Sequence, residues 1–305
     1  MKVLITTSSF GKNNTEPLEL LKKHNIEYIL NPYGRKLSED ELIELVTKYK
    51  PDFLIAGTEK MTSRALDTLK QSVKIVSRCG IGMDSIDLEY AKKIAMPITN
   101  TPDAPTMPVA ELTLGIILNL LRKISLADRS IRNGEFEKPM GNLLHNKTVG
   151  IIGCGRIGSH LAKLLKPFEC NIIGYDKCIK THDDINIQAF DDVVKNSDIL
   201  TLHIPYSAEN KYIINKDILS KMKKTSYLLN ISRGGLVNEN DLIEALKSNQ
   251  IMGAGIDCYE EEPYKGKLID FENVILTTHI GSYAKEARVK QELDSIKNIL
   301  EAIND

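Results

Sequence analysis

The sequence predicts an α/β protein of two doubly wound parallel-sheet domains, and three observations carry that prediction. Short apolar runs rich in β-branched residues alternate with helix-length amphipathic segments along almost the whole chain. The alternation forms one block up to about residue 100 and a second from residue 148, with a long helical pattern between them. The 305 residues suffice for two ordinary domains, since compact domains commonly hold roughly 100–200 residues.

In the first block, residues 3–6, 28–30, 53–56 and 75–77 read as strands. The start carries one positive charge and runs into Thr6, Thr7, Ser8 and Ser9 without a cleavage-like site, so it reads as a strand and not a signal peptide. Leu42, Ile43, Leu45 and Val46 mark an amphipathic helix between strands. The long helical pattern spans residues 108–133, with Val109, Leu112, Ile116, Leu120 and Ile124 at helical spacing and Gly134 as its stop. Its apolar residues extend around more than one face. Such a helix is buried, against its own chain or against a second subunit, and a homodimer is the expectation. In the second block, residues 148–153, 171–175, 198–205, 226–232, 252–258 and 274–280 read as strands of a doubly wound sheet, and residues 284–303 as a closing helix. The two self-sufficient blocks imply a ligand cleft between domains.

Composition excludes several classes. Apolar residues at 42% and charged residues at 27% describe a globular chain, not a disordered or fibrous one. Lys and Arg total 40 against 41 Asp and Glu, without a long like-charged block, so no nucleic-acid footprint is expected. The most apolar stretch, residues 112–121, contains Thr113 and Asn119 and falls short of the roughly 20 apolar residues a membrane helix needs. No membrane association is expected. The cysteines at 79, 154, 170, 178 and 258 form no CxxC pair, which suits free thiols in the cytoplasm and no metal site.

Gly153-Cys154-Gly155-Arg156-Ile157-Gly158 fits GxGxxG, and its context gives the pattern its weight. A strand enters the loop, and Ile157, Leu161, Leu164, Leu165 and Phe168 stripe the helix that leaves it. Gly153 permits the tight turn, Gly155 lets backbone approach a pyrophosphate, and Gly158 lets helix and strand pack closely. Asp176 ends the next strand, where a carboxylate accepts hydrogen bonds from an adenosine ribose and repels a 2′-phosphate. NAD is therefore favoured over NADP, with Lys177 leaving some tolerance.

Ligands of open α/β sheets sit beyond the carboxyl ends of the strands, where this chain places Asp176, His203, Pro205, Arg233, Asp257 and His279. A histidine paired with a carboxylate suits proton exchange with an alcohol or carbonyl, and His279 with Glu262 is the candidate pair. The competing reading is a buried structural histidine beside an exposed acidic turn. Arg233, followed by two glycines, has room to fork a carboxylate and polarise the adjacent carbonyl; a surface arginine in a turn is the alternative. Together these groups describe hydride transfer at the carbon next to an acid group.

These motifs, with Ser77-Arg78-Cys79-Gly80-Ile81-Gly82-Met83-Asp84-Ser85-Ile86-Asp87, Asn100-Thr101-Pro102 and Val109-Ala110-Glu111, resemble the NAD-dependent D-2-hydroxyacid dehydrogenases, within them the D-3-phosphoglycerate dehydrogenase-like branch. The resemblance covers essentially the whole chain. It implies a catalytic set of Arg233, Glu262 and His279, with Arg233 on the substrate's carboxylate and keto oxygen, His279 as acid and base, and Glu262 holding it protonated for reduction. It implies a dinucleotide held by Gly153, Gly155, Arg156, Ile157, Gly158, Asp176, His203, Pro205 and His279, with Asp257 near the nicotinamide amide. The amides of Cys79, Gly80, Ile81 and Gly82 would receive the substrate carboxylate. It further implies a Rossmann cofactor domain, residues 101–283, inserted into a flavodoxin-like substrate domain, residues 1–100 plus 284–305, with the long helix making the dimer.

Two departures bear on the substrate. Thr278 stands where many members carry proline before the histidine, a change expected to leave the chemistry intact. Ala56 stands where phosphoglycerate dehydrogenases commonly place an arginine for the phosphate, so Arg35, Lys60 or Arg78 would have to supply that charge. The chain ends soon after its closing helix, so serine feedback through a regulatory domain is not expected. The expected substrate is a small 2-hydroxy or 2-keto acid. Phosphoglycerate, hydroxypyruvate or glyoxylate, D-lactate and an unusual phosphorylated or phosphonate acid all stay open. A NAD(H)-responsive binding protein is the reading from another class, and hydride abstraction from phosphite or formate a third.

Overall fold

The computed structural model describes residues 1–304. They form two compact units, one joining Met1–Pro105 to the C-terminal segment from Tyr283, the other comprising Thr106–Ser282.

The first unit runs β1 (Lys2–Ile5), α1 (Glu16–Lys23), β2 (Glu27–Leu30), α2 (Glu39–Tyr49), β3 (Phe53–Ala56), α3 (Ser63–Lys70), β4 (Ile75–Arg78), α4 (Leu88–Lys93) and β5 (Ile98–Asn100). Its strands are all parallel in the order β2-β1-β3-β4-β5, the flavodoxin-like arrangement, and the last helix of the chain packs on the same sheet. Helices on both faces explain why β3 is buried at every residue and reads as an unbroken apolar run. The α2 start shows the local logic. The Ser38 hydroxyl accepts from the Glu41 amide while the Glu41 carboxylate accepts from the Ser38 amide, and Leu42, Leu45 and Val46 face inward.

The second unit begins with α5 (Thr106–Arg122) and α6 (Ile124–Arg132). It continues through β6 (Thr148–Ile152), α7 (Arg156–Leu165), β7 (Asn171–Tyr175), β8 (Asn186–Ile187), α8 (Phe190–Asn196), β9 (Ile199–Leu202), α9 (Lys216–Lys221), β10 (Tyr227–Asn230), α10 (Glu239–Lys247), β11 (Gly253–Ile256) and β12 (Val274–Leu276), and the chain closes with α11 (Lys285–Asn304) in the first unit. The seven strands are parallel in the order β12-β11-β10-β9-β6-β7-β8. Counted from β6 this is 3-2-1-4-5-6-7, the Rossmann order extended by one strand. Gly255 of β11 lets α5 lie close, since a Cβ there would stand 2.4 Å from Ile116.

Three expectations are corrected. Each sheet gains an edge strand, β5 and β8, of three and two residues, too short to leave a periodic signal. The single helix over 108–133 is two helices, because Lys123 takes the left-handed conformation (φ 54°) and ends α5. The Asn119 side chain bridges the break, donating to the Ser125 hydroxyl at 2.7 Å and accepting from its amide at 2.8 Å. The strands read as reaching residues 205, 232, 258 and 280 stop at 202, 230, 256 and 276, so the candidate residues stand on the loops that follow them. His279, at φ 55°, cannot belong to a strand.

Candidate active site

The glycine loop is shaped by close approaches that a side chain would block. The chain leaves β6 at Gly153 with φ 97°, and a Cβ there would stand 2.5 Å from the His203 carbonyl oxygen. On α7, a Cβ on Gly158 would stand 2.2 Å from the Gly153 carbonyl oxygen. Gly155, the N-cap of α7, differs: a Cβ there would meet no atom within 4 Å, and no side chain caps the helix. The first turn, with Arg156 and Ile157, therefore presents its amides and the positive end of its dipole beside open space. That cradle fits the pyrophosphate of a dinucleotide.

Asp176 follows β7 directly and accepts from the amides of Cys154 (2.9 Å), Cys178 (2.8 Å) and Ile179 (3.0 Å). Burial opposes its ionisation, but these amides and Lys180 outweigh it and hold the carboxyl below the usual range. His203 follows β9, its Nε2 3.0 Å from the Thr201 hydroxyl and its Nδ1 enclosed without a partner. Burial pulls this imidazole down to about 4, so it stays neutral. Pro205 is exposed, two residues further, and the preceding Ile204 carbonyl accepts from the Ser232 hydroxyl, tying the β9 exit to the β10 exit.

Arg233 lies on the β10 exit with Nη1 donating to the Ser232 carbonyl at 2.8 Å, while its own carbonyl accepts from Asn230 Nδ2 at 2.8 Å. The glycines after it do not serve to clear space for the guanidinium. A Cβ on Gly234 would lie 1.9 Å from the Tyr259 backbone, and one on Gly235 2.7 Å from the Tyr206 ring. Gly234 thus admits the β11 exit loop, which carries Cys258 to Glu262 past Arg233.

On that loop Glu262 accepts from the Tyr259 amide at 3.2 Å and faces His279, whose Nδ1 stands 2.9 Å from Oε1 and 3.0 Å from Oε2. Both side chains are partly open, His279 at 44% and Glu262 at 40%, so the pair can exchange protons with a bound molecule. Asp257, expected at the nicotinamide amide, is wholly buried. Its Oδ1 accepts from the Thr277 hydroxyl (2.6 Å) and the Ile280 amide (2.8 Å), and its Oδ2 from the Gly281 amide (2.8 Å). It clasps the turn that presents His279. Thr277 and Tyr259, whose hydroxyl stands 2.7 Å from the Thr277 carbonyl, join this support and carried no sequence signal.

The donor atoms of Cys258, Glu262 and His279 lie within 4.8 Å of one another, close enough for three ligands of one ion. Burial first, then the charge of Asp257, push the Cys258 thiol up, and it donates to the Ser232 carbonyl at 3.2 Å. Without a thiolate, and with Arg233 nearby, the cluster reads as an acid–base pair beside a buried thiol.

In the first unit, the Cys79 amide donates to the Ala56 carbonyl (3.0 Å) and the Gly80 amide to the Thr101 hydroxyl (2.8 Å), which leaves Ile81 and Gly82 at the outer edge of this loop. Ala56 is wholly buried in β3, so the charge at that strand's exit is set by the residues after it. Among them is Glu59, unmarked in the sequence except as the neighbour of a missing arginine. Arg35 is engaged by Glu41 at 2.5 Å.

The family model for D-isomer specific 2-hydroxyacid dehydrogenase, NAD binding domain, matches residues 114–281. A D-3-phosphoglycerate dehydrogenase of Methanocaldococcus jannaschii is 36% identical over 83% of this chain, which spans about half, 49%, of that protein's length. A hydroxypyruvate reductase of Thermotoga maritima is 33% identical over 95% of this chain and 92% of its own. Among solved structures, an acyclic imino acid reductase in complex with NADPH and D-Arg superposes with a TM-score of 0.89, at 27% identity, over 100% of this chain and 97% of the other.

Proposed function

Since the chain belongs to the D-isomer specific 2-hydroxyacid dehydrogenases and carries their NAD-binding domain, we propose that it interconverts a small D-2-hydroxy acid and its 2-keto acid. The observation that carries this reading is the Glu262 and His279 pair, set on the same sheet edge as the glycine cradle.

Bound NADH supplies the hydride. The backbone of Gly153 to Gly158 would hold the pyrophosphate at the α7 N-terminus, with Arg156 and Ile157 in its first turn, Asp176 would take the adenosine ribose, and His203 and Pro205 would line the rest of the cofactor. Arg233 binds the carboxylate and keto oxygen of the substrate and draws charge onto that oxygen. With Nδ1 held by Glu262, His279 would deliver a proton from Nε2 to the keto oxygen in reduction and take it back in oxidation. Asp257 acts through the His279 turn.

The free thiols support a cytoplasmic protein, and the exposed apolar residues along α6 support a homodimer. An NADH-consumption assay over phosphohydroxypyruvate, hydroxypyruvate, glyoxylate, pyruvate, 2-ketoglutarate and phosphonopyruvate tests the reading. Turnover that depends on Arg233 and His279 is the expected result; silence on the panel would transfer the weight to a cofactor-responsive binding protein.

A further inference from the structure

Cys258 and Glu262 stand on the loop that leaves β11, and His279 on the turn that leaves β12, so two docked strands bring a thiol, a carboxylate and an imidazole to one point of the second unit. Their donor atoms all lie within 4.8 Å of one another. The ligand atoms of one tetrahedral zinc stand roughly 3.3–3.8 Å apart, given bonds of about 2.0–2.3 Å, so a contraction on the order of 1 Å would seat the ion. The Cys258 side is fixed, since that residue is only 2% exposed, whereas Glu262 and His279 are partly open and can make the movement. A sulfur, a nitrogen and an oxygen donor together suit Zn²⁺, not the all-oxygen shells of Mg²⁺ or Ca²⁺. Beside the thiol, Asp257 and Glu262 set two negative charges against the one positive charge of Arg233, a balance that favours a cation. The cysteine spacing that argues against a metal in the sequence counts thiols alone, and here a single thiol joins two ligands of other kinds.

We propose that Cys258, Glu262 and His279 form an inhibitory Zn²⁺ site that switches the acid–base pair off. At rest the thiol keeps its proton and donates to the Ser232 carbonyl. As the zinc–sulfur bond forms, that proton leaves for solvent, and no oxidation state changes. The ion takes the place of the hydrogen bond between Glu262 and His279 Nδ1, so the imidazole binds metal instead of passing a proton to substrate. Binding of the ion needs only these three side chains; its effect on turnover rests on the dehydrogenase reading above.

The test uses the full chain carrying Cys178→Ser, which removes the exposed thiol, alone and combined with Cys258→Val or with the smaller Cys258→Ala. Co²⁺ binding is read from its thiolate-to-metal charge-transfer band, and Zn²⁺ binding by competition against that band and by equilibrium dialysis. Turnover of the best acid of the panel above is measured in metal-free buffer, with Zn²⁺, and again after EDTA. The Cys178→Ser chain should show the band. Replacing Cys258 should abolish it and weaken Zn²⁺ by at least about tenfold, since even partners outside the ligand set cost that much. Saturating Zn²⁺ should lower turnover by about a hundredfold or more, the scale of a placed proton donor, and EDTA should restore it. Both Cys258 variants should keep the metal-free turnover and resist the ion. No band in Cys178→Ser, or a band that survives in both Cys258 variants, overturns the site. Full turnover of the zinc-loaded chain overturns the switch. A chain that shows the band yet reduces none of the acids in metal-free buffer overturns the dehydrogenase reading, and the switch with it, and leaves the ion site standing.

Discussion

His279 points its Nδ1 at the Glu262 carboxylate, 2.9 Å from one oxygen and 3.0 Å from the other, although 17 residues separate the two along the chain. Two different strand exits bring them together, so the pair forms only once β11 and β12 are docked side by side. Proton transfer by a placed side chain contributes about 10²- to 10⁴-fold to a rate, and His279→Ala should lower kcat by that much. Glu262→Gln keeps an acceptor but removes the charge, and a loss of about ten- to a hundredfold is expected. Because both act on one proton, the double variant should lose little more than His279→Ala. Additive losses in steady-state kinetics would separate the two roles.

Asp257 should behave as a positioning residue. Its buried carboxylate takes three donors from the segment that presents His279, and removing it strands buried amides. Asp257→Ala should cost on the order of 2–4 kcal/mol of stability and lower kcat, whereas NADH affinity, read by fluorescence titration, should fall much less. A variant that loses NADH binding but keeps its melting temperature would instead make Asp257 a cofactor contact.

Asp176 should set the cofactor preference by its charge. Asp176→Asn keeps one oxygen for the loop amides and removes the repulsion of a 2′-phosphate, so the NADPH-to-NADH ratio of kcat/KM should rise by about tenfold or more. Unchanged discrimination would place the selectivity elsewhere on the β7 exit, with Lys177 or Lys180.

The inner strands of both sheets are legible in the sequence because parallel strands covered on both faces are written as unbroken apolar runs, as in Phe53–Ala56. The glycine loop is legible because each close approach excludes a Cβ. What the sequence hides depends on tertiary contacts. The break at Lys123 uses neither glycine nor proline but a left-handed lysine and the reach of Asn119. Gly234 reads as space around an arginine until the Tyr259 backbone is seen crossing it. Glu59 carries no pattern, since its environment comes from β1 and β3, about fifty residues apart in sequence.

His203 predicts how stability responds to acid. Its imidazole is ordinarily near 6.5 and is pulled down to about 4 by burial. Above pH 6.5 both folded and unfolded chains keep it neutral. As the pH falls from 6.5 toward 4 the unfolded chain binds a proton that the folded one refuses, so stability drops, by up to about 1.4 kcal/mol per pH unit; the half-buried ring lies under that ceiling. His203→Gln should flatten the melting-temperature profile across this window. Parallel profiles for the two proteins would assign the acid sensitivity to other groups.

The homodimer prediction rests on the surface that α6 and the segment after it expose. Ile124, Ile131, Phe136, Met140 and Leu143 are 55%, 56%, 77%, 86% and 65% exposed. Single exposed apolar residues are ordinary, but five large ones within twenty residues form the kind of surface that a subunit interface covers. Arg122, Asp128, Arg129 and Arg132 lie among them, and a polar rim of this kind fixes register in a self-complementary contact. Sedimentation of the wild type should give a dimer. Ile131→Asp with Phe136→Asp should give a monomer that keeps its NADH affinity, because neither residue touches the glycine cradle. A monomeric wild type at micromolar concentration would leave these residues to another partner and remove the dimer from the proposed function.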